Sequence, residues 1–482
     1  MSGAQMLLVA PEFWVLVMAC VIMLADLFVR EERRGIIHML AILTLIFAGI
    51  ITMRGDYLVN GIQSVTAFGG HFIRDSMGDV LKLFSFVTLG LIFTYAKHYL
   101  RNFNMFRSDF YTLSLFALLG VMLLISANSL VMIYLGLELI SLSVYALVAF
   151  NRESGRGSEA AMKYFVLGSM ASGMLLYGMS MIYGATGSLV LNDIAEAISR
   201  QGSSDILLIF GLVFVVVGIA FKFGIVPFHM WIPDVYEGAP VAVTLFISSL
   251  PKLAAFAMAF RLLHSGLGDL HIHWQGMLQI MALLSIVVGN LAAIMQTNIK
   301  RMLAYSTISH MGFVLLGLLP GTAFGYSASM YYVIVYALMS TAAFGMVIML
   351  SEGGVEADQL EDFKGLNQRN PFYAAIMGIV MFSMAGVPPM VGFFAKWMVI
   401  KAAMEAGLFW LAIAAVVFAV VGAFYYLRVI KFMYFDEPEN ETSVVAPVDF
   451  RAALAVNGLM LIGLGVFSGA LINICITSFS AL

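Results

Sequence analysis

Phe221-Lys222-Phe223-Gly224-Ile225-Val226-Pro227-Phe228-His229-Met230-Trp231-Ile232-Pro233-Asp234-Val235-Tyr236-Glu237-Gly238-Ala239-Pro240 is the stretch on which the reading of this chain turns. It closes an apolar run, 206–237, that is longer than the roughly twenty residues a bilayer span requires. A lysine stands near the middle of that run, with a glycine and a proline just beyond it. Proline lacks an N–H and clashes with the carbonyl four residues back, so a helix breaks there and leaves backbone groups unpaired. Lipid cannot satisfy such groups, and a lysine at mid-bilayer costs roughly 2.5–3.5 kcal/mol on insertion scales. A segment of this kind persists only inside a bundle of other helices or beside a wet cavity.

The same pattern recurs. The run 371–402 is interrupted by Gly386-Val387-Pro388-Pro389 and carries Lys396 beyond the break. Paired broken helices in corresponding halves point to inverted-repeat transporters. The two breaks lie five helices apart, which predicts one repeat of helices four to eight (106–265) and a second of nine to thirteen (266–435), preceded by three helices (1–105) and followed by one (436–482). The symmetry is imperfect, since Lys222 precedes its break while Lys396 follows its own. A third site has Pro251 directly before Lys252, opening the backbone next to another buried ammonium.

The rest of the chain agrees with this class. Its 482 residues are 62% hydrophobic and 11% charged, where a globular domain carries about 25% charged residues. Apolar runs predict an all-α polytopic membrane protein of about fourteen helices, near 9–29, 36–53, 78–96, 109–126, 129–150, 159–185, 206–237, 241–263, 275–296, 302–319, 325–350, 371–402, 408–432 and 449–475. Glu12 stands where a signal peptide would be basic, so the first run reads as a retained helix. If the loop with Arg30, Arg33 and Arg34 is cytoplasmic, fifteen basic residues fall inside and five outside (Arg54, Arg74, Arg200, Arg261, Lys401), which predicts both termini on the outer, periplasmic side.

Five lysines remain within helices: Lys82, Lys163, Lys222, Lys252 and Lys396. Lys82 and Lys163 lie a turn from helix ends, where a lysine snorkels to the interface. Glu138, Lys222 and Lys252 lie too deep for that. Burial lowers a lysine's proton affinity and a nearby carboxylate restores it, so Glu138, Lys222, Lys252 and Lys396 read as a proton relay with an electrostatic trigger. Buried structural ion pairs are the alternative. Lys163, His229 and His310 are further relay candidates, and the hydroxyls of Ser141, Ser143, Ser248, Ser249, Ser306, Thr307 and Ser309 either hold connecting waters or bond their own backbone.

Other chemistries find no support. Cys20 and Cys475 lie in apolar segments at opposite ends of the chain and read as inert thiols. There is no Cys/His cluster for a metal, no glycine-rich phosphate loop and no haem pattern. The net charge of -3 shows no basic patch for nucleic acid.

The opening stretch resembles the signature of the antiporter-like membrane subunits of respiratory complex I, the NADH:quinone oxidoreductase, and its VYEGAP ending is similar to the N-type members. Supporting pieces are LGLELISLSVYAL around Glu138, AMKYFVLGS around Lys163, SLPKLAAF around Lys252, NIKRMLAYSTISHMG through His310 and GVPPMVGFFAKW around Lys396, together covering about 80–430. A glutamate in place of Lys396 would suit the M-type better, and the L-type would add a long lateral helix. The resemblance implies a fourteen-helix fold with two inverted five-helix repeats, a Glu138–Lys222 pair, a central Lys252 and an outer exit at Lys396. It also implies no flavin, iron–sulfur cluster or main quinone site in this chain. FMN, iron–sulfur clusters, NADH and a quinone would belong to the remainder of the complex. Expected partners are the M-type and the small K- and J-type membrane subunits and lipid, in the bacterial inner membrane. A subunit of a multi-subunit cation/proton antiporter and a non-transporting scaffold are the other readings.

Overall fold

In hydrocarbon every backbone N–H and C=O must be satisfied within the protein, which leaves the helix as the default element of a chain this apolar. The computed structural model describes residues 3–30, 33–54, 64–351, 354–438 and 446–480. Its principal elements are α1 (Ala10–Asp26), α2 (Gly35–Met53), β1 (Val65–Ala67), β2 (Phe72–Arg74), α3 (Ser76–Asn102), α4 (Ser108–Ile125), α5 (Leu130–Val148), α6 (Gly155–Thr186), α7 (Leu191–Gln201), α8 (Ile206–Phe223), α9 (Trp231–Gly238) and α10 (Val241–Phe260). They continue with α11 (His271–Ile294), α12 (Ile299–Leu318), α13 (Ala323–Leu350), α14 (Pro371–Ala385), α15 (Val391–Glu405), α16 (Phe409–Phe435), α17 (Val448–Val466) and α18 (Ser468–Thr477). Among the described residues eleven helices are long and apolar enough to cross a membrane. Each of the fourteen runs anticipated from sequence coincides with one helix or with a broken pair.

Besides short helical turns in the loops, the structure holds three elements that were not anticipated. The antiparallel β1–β2 hairpin pairs Val65 with Arg74 and Ala67 with Phe72 ahead of α3, a small exception to the all-helical expectation. Helix α7 is amphipathic, with Leu191, Ile194 and Ile198 buried and Asp193, Glu196 and Arg200 polar. A single π-helical turn, Arg261–Gly266, extends α10.

Contacts between distant segments mark the two faces. Ser76 Oγ at the start of α3 lies 3.4 Å from Ser478 Oγ beyond α18, while Lys97 near its end pairs with Asp449 at the start of α17 at 2.8 Å. Glu12 in the first turn of α1 meets Lys82 near the start of α3, so the start of α1 and the end of α18 reach one face, called here the N-terminal face.

The core is densest around α10, α12 and α13, where nearly every residue is buried. Close approach of backbones is set by small residues, as in other membrane bundles. A Cβ on Gly120 of α4 would lie 2.8 Å from the Gly136 carbonyl of α5, and one on Gly136 2.8 Å from the Leu124 amide. Gly120→Ala would wedge α4 from α5, which carries Glu138.

Candidate functional site

Both expected breaks are present, and their chemistry follows from which amides proline removes. Helix α8 ends at Gly224, with φ 73°, and α14 ends at Gly386, with φ 89°, left-handed positions that favour glycine. In an unbroken helix the carbonyls of Met384 and Ala385 would accept from residues 388 and 389. Both of those are proline and have no N–H to give. Lys396 fills the gap: its Nζ donates to the Met384 carbonyl at 3.0 Å and the Ala385 carbonyl at 2.8 Å. The same logic holds in the other half. The Phe223 carbonyl loses its partner to Pro227, and the Val226 amide turns away to Ser285 Oγ at 2.9 Å, freeing the Lys222 carbonyl. Lys252 Nζ donates to Phe223 O at 2.9 Å and Lys222 O at 3.4 Å.

Each ammonium thus sits at the C-terminal end of a half-helix, where orphaned carbonyls and the helix dipole both favour positive charge. Lys252 does not use the backbone opened by its own Pro251, as its neighbourhood in sequence suggested. It reaches across to the break of α8 instead. Aromatic faces complete both sites: Lys252 lies 5.3 Å from the Trp231 ring and Lys396 5.4 Å from that of Phe313. Trp231 is itself stacked between Tyr164 at 4.5 Å and Phe221 at 5.5 Å.

Lys222 donates to Ser141 Oγ at 2.7 Å. Ser141 stands one turn beyond Glu138 on α5, but its hydroxyl donates to the Leu137 carbonyl at 2.7 Å, so it does not link Glu138 to Lys222, and no direct ion pair joins the two among the described residues. A small cavity beside Ser141, Tyr164, Lys222, Trp231 and Pro251 has room for a water molecule. Glu138 is half-buried on the face of α5 that also exposes Leu135 and Leu142, and its Oε1 is buried without a hydrogen-bond partner among the described residues.

Between Lys252 and Lys396 runs a hydroxyl network that sequence reading did not assemble. Ser248 accepts from Ser340 at 2.8 Å, and Thr307 meets the Tyr336 hydroxyl at 2.7 Å. Ser306 meets Tyr426 at 2.5 Å, and His310 lies between Tyr332 (Nδ1, 2.8 Å) and Tyr426 (Nε2, 3.0 Å). Asn290 ties Ser309 to Tyr425 at 2.9 and 3.1 Å. The plainer alternative holds as well: Ser143 and Ser249 bond carbonyls of their own helices, and so do Ser141, Ser248 and Thr307 besides their contacts above. No spacing rule marks Tyr332, Tyr336 or Tyr426, because a tyrosine in an apolar helix ordinarily signals packing.

Two lysines stand elsewhere. Lys163 is exposed near the face opposite the N-terminus, paired with Glu159 at 3.0 Å and Asp234 at 2.9 Å. Arg301 joins it by binding Asp234 at 3.0 Å and Glu237 at 2.7 Å, and Arg156 binds Glu237 in turn. The acids of the VYEGAP-type stretch therefore anchor α9 to α6 and α12. Lys82 does not snorkel. It is fully buried and paired with Glu12 at 2.6 Å, because helix packing brings the first turn of α1 against α3. Arg74 and Arg261, counted by sequence as loop charges, are likewise buried in ion pairs. His229 lies half-buried in the segment between the half-helices, its Nδ1 unpartnered among the described residues.

No group of three or more His, Cys, Asp or Glu side chains placed to hold a metal occurs among the described residues, and both cysteines are free. Fold and site together define a polytopic membrane protein of the antiporter-like class, with lysines seated on the carbonyls of two broken helices.

Comparison with known proteins narrows the class. The family described as NADH:quinone oxidoreductase/Mrp antiporter, transmembrane, matches residues 127–422. NADH-quinone oxidoreductase subunit N of Thioalkalivibrio sulfidiphilus is 52% identical over 473 residues, covering 98% of each chain. The subunit N of an Azoarcus species is 54% identical over 472 residues, covering 96% of this chain and 95% of its own. Among solved structures, a chain of respiratory complex I from Thermus thermophilus with bound aureothin superposes with a TM-score of 0.82 at 31% identity, covering 96% of this chain and 98% of its own. The chain belongs to the NADH-quinone oxidoreductase subunit N family, a membrane branch of complex I.

Proposed function

We propose that this chain moves protons across the membrane through Glu138, Lys222, Lys252 and Lys396, driven by NADH-to-quinone electron transfer elsewhere in the complex. The observation that carries the reading is the seat of Lys252 and Lys396 on carbonyls that proline has orphaned. A structural ion pair would place a carboxylate there. A carbonyl seat instead holds a lysine in either protonation state, since the backbone dipoles accept from an ammonium and from a neutral amine alike. Ser141, the adjacent cavity and the Ser/Tyr/His310 network supply hydrogen-bonding groups between the stations, and movement of Glu138 relative to Lys222 sets when that lysine releases its proton.

We further propose two repeats, 106–265 and 266–435, each built around one break, with both termini on the periplasmic side of a bacterial inner membrane. The M-type antiporter-like subunit and the small K- and J-type subunits are the proposed neighbours. FMN, iron–sulfur clusters and the quinone site are assigned to other subunits. Lys163 is proposed to anchor α9 rather than to carry protons through the row, and His229 and His310 remain relay members.

The test is to reconstitute the complex in liposomes and measure NADH:quinone turnover with lumen acidification. Lys222→Ala is expected to reduce both, because blocking one proton step stalls a coupled cycle. Wild-type pumping would remove Lys222 from the relay, and fast uncoupled turnover would refute coupling through this subunit. Sodium- or potassium-dependent exchange would instead mark a cation/proton antiporter.

A further inference from the structure

Six ionisable side chains that the lysine row does not use gather beneath the N-terminal face. They are Glu12 in the first turn of α1, Arg74 in β2, Asp75, Asp79 and Lys82 along α3, and Arg261 just past α10. Asp75, Asp79 and Lys82 follow one another at helical spacing, so they share a face. Arg74 binds Asp79 at 3.1 Å, Arg261 grips Asp75 at 2.6 and 2.9 Å, and Lys82 lies 2.6 Å from Glu12.

The first two pairs carry additional backbone bonds. Arg74 also donates to the Thr52 carbonyl at 3.0 Å, Arg261 to that of Ile125 at 3.1 Å, and Asp75 accepts from the Gly78 amide at 2.8 Å. The third pair differs. Glu12 is 4% exposed and Lys82 0%, yet neither carboxylate oxygen of Glu12 nor Lys82 Nζ makes an aligned hydrogen bond with any described residue. Beyond the 2.6 Å contact between them and the Phe72 ring 5.5 Å from Lys82 Nζ, the pair has hydrogen-bonding sites left open, since an ammonium has three donors and a carboxylate about four acceptor sites. Hydrogen-bonding sites left open on a buried ion pair are costly, because the pair's attraction repays its desolvation only when the remaining sites are satisfied. Buried polar groups in that condition are where ordered water resides. Further charged groups stand between the pair and the surface. Asp79 lies within electrostatic reach of both Glu12 and Lys82, and Lys82 within reach of Asp75, whose side chain is 18% exposed at the rim.

We propose that Glu12 and Lys82 form a hydrated proton-exchange station on the N-terminal face, separate from the lysine row. In the exchange an N–H bond of the Lys82 ammonium breaks as an O–H bond forms on Glu12, converting the ion pair to two neutral groups. Water then takes the proton from Glu12 and carries it past Asp79 towards the rim as hydronium, leaving a carboxylate and a neutral amine; a hydronium arriving through the same waters gives its proton to the Lys82 amine, its O–H bond breaking as the N–H bond forms, which restores the ion pair. The proposal rests on the translocation reading above, and it gives the three N-terminal helices a part in the chemistry.

The experiment compares wild type, Glu12→Gln, and the double variant Glu12→Gln/Lys82→Met in the assembled complex, with Lys222→Ala alongside. Assembly is read from native gels, and pumping from lumen acidification per NADH oxidised. Glu12→Gln leaves a buried ammonium uncompensated and can lose assembly on that ground alone. The double variant removes both charges, and a pair serving only as a clip tolerates that well. The expected result is an assembled double variant whose pumping falls roughly a hundredfold, the lower end of the scale of losing a positioned acid–base group. Near-normal pumping by the double variant beside an impaired Lys222→Ala overturns this station alone. Normal pumping by both removes the translocation reading itself, and failure of the double variant to assemble marks the pair as structural.

Discussion

Replacing Lys252 by methionine separates a lysine kept for structure from one kept for proton transfer. The change keeps an unbranched side chain and removes the ammonium that holds two carbonyls of the α8 break. Leaving a buried acceptor unmet costs about 1–3 kcal/mol. The contact to Phe223 O is of ordinary length at 2.9 Å, but that to Lys222 O is long at 3.4 Å, so the combined loss lies nearer about 3 than about 6 kcal/mol. Against it stands the roughly 2.5–3.5 kcal/mol that a lysine costs at mid-bilayer and methionine does not. The two terms nearly cancel, so Lys252→Met is expected to assemble at close to wild-type level while losing proton pumping and, with it, quinone reduction. Lys252→Arg is expected to fail as well, because a guanidinium binds the carbonyls but does not release its proton. The assay is native-gel quantification of the complex together with turnover and acidification in liposomes. Wild-type pumping by Lys252→Met would refute the relay, and loss of the assembled complex would show that the carbonyl seat is chiefly structural.

Ser141→Ala removes the acceptor for Lys222 and is expected to slow turnover severalfold with assembly intact, whereas Ser141→Thr, which keeps the hydroxyl, should retain most activity in the same assay. Pro389→Ala returns an N–H opposite the Ala385 carbonyl, competes with Lys396 for it, and is expected to lower pumping more than stability. Burial works against charge on Asp75, yet the Arg261 guanidinium prevails and holds its carboxyl below the ordinary range. A lowered folded-state value means that this stabilisation is fully present above the unfolded value of about 3.9 and fades as pH falls through the folded one. Asp75→Asn should therefore destabilise the detergent-solubilised complex by about 3 kcal/mol at neutral pH, with the difference from wild type shrinking below about pH 4 in thermal unfolding. Arg301→Ala removes the link between Asp234 and Glu237, and is expected to speed hydrogen exchange of the α9 amides relative to those of α10.

The membrane class, the helix runs, both breaks and the residues Glu138, Lys222, Lys252 and Lys396 were legible in the sequence because each rests on a property of a few consecutive residues. Hydrophobic length, a proline's missing amide and the cost of an ammonium in lipid need no knowledge of neighbours. What those residues touch was not legible. Lys252 gave no sign that it seats on the α8 carbonyls thirty residues earlier, and Lys82, a turn from a helix end, read as a snorkelling residue until α1 brought Glu12 against it. Lys163 read as a relay candidate and stands exposed in an ion-pair network. The ring of Tyr332, Tyr426 and Ser306 around His310 joins side chains up to 120 residues apart. Local chemistry states which groups cannot face lipid; only the packing of distant helices determines which group answers each one, because a buried charge or carbonyl is satisfied by whatever side chain the fold carries to it.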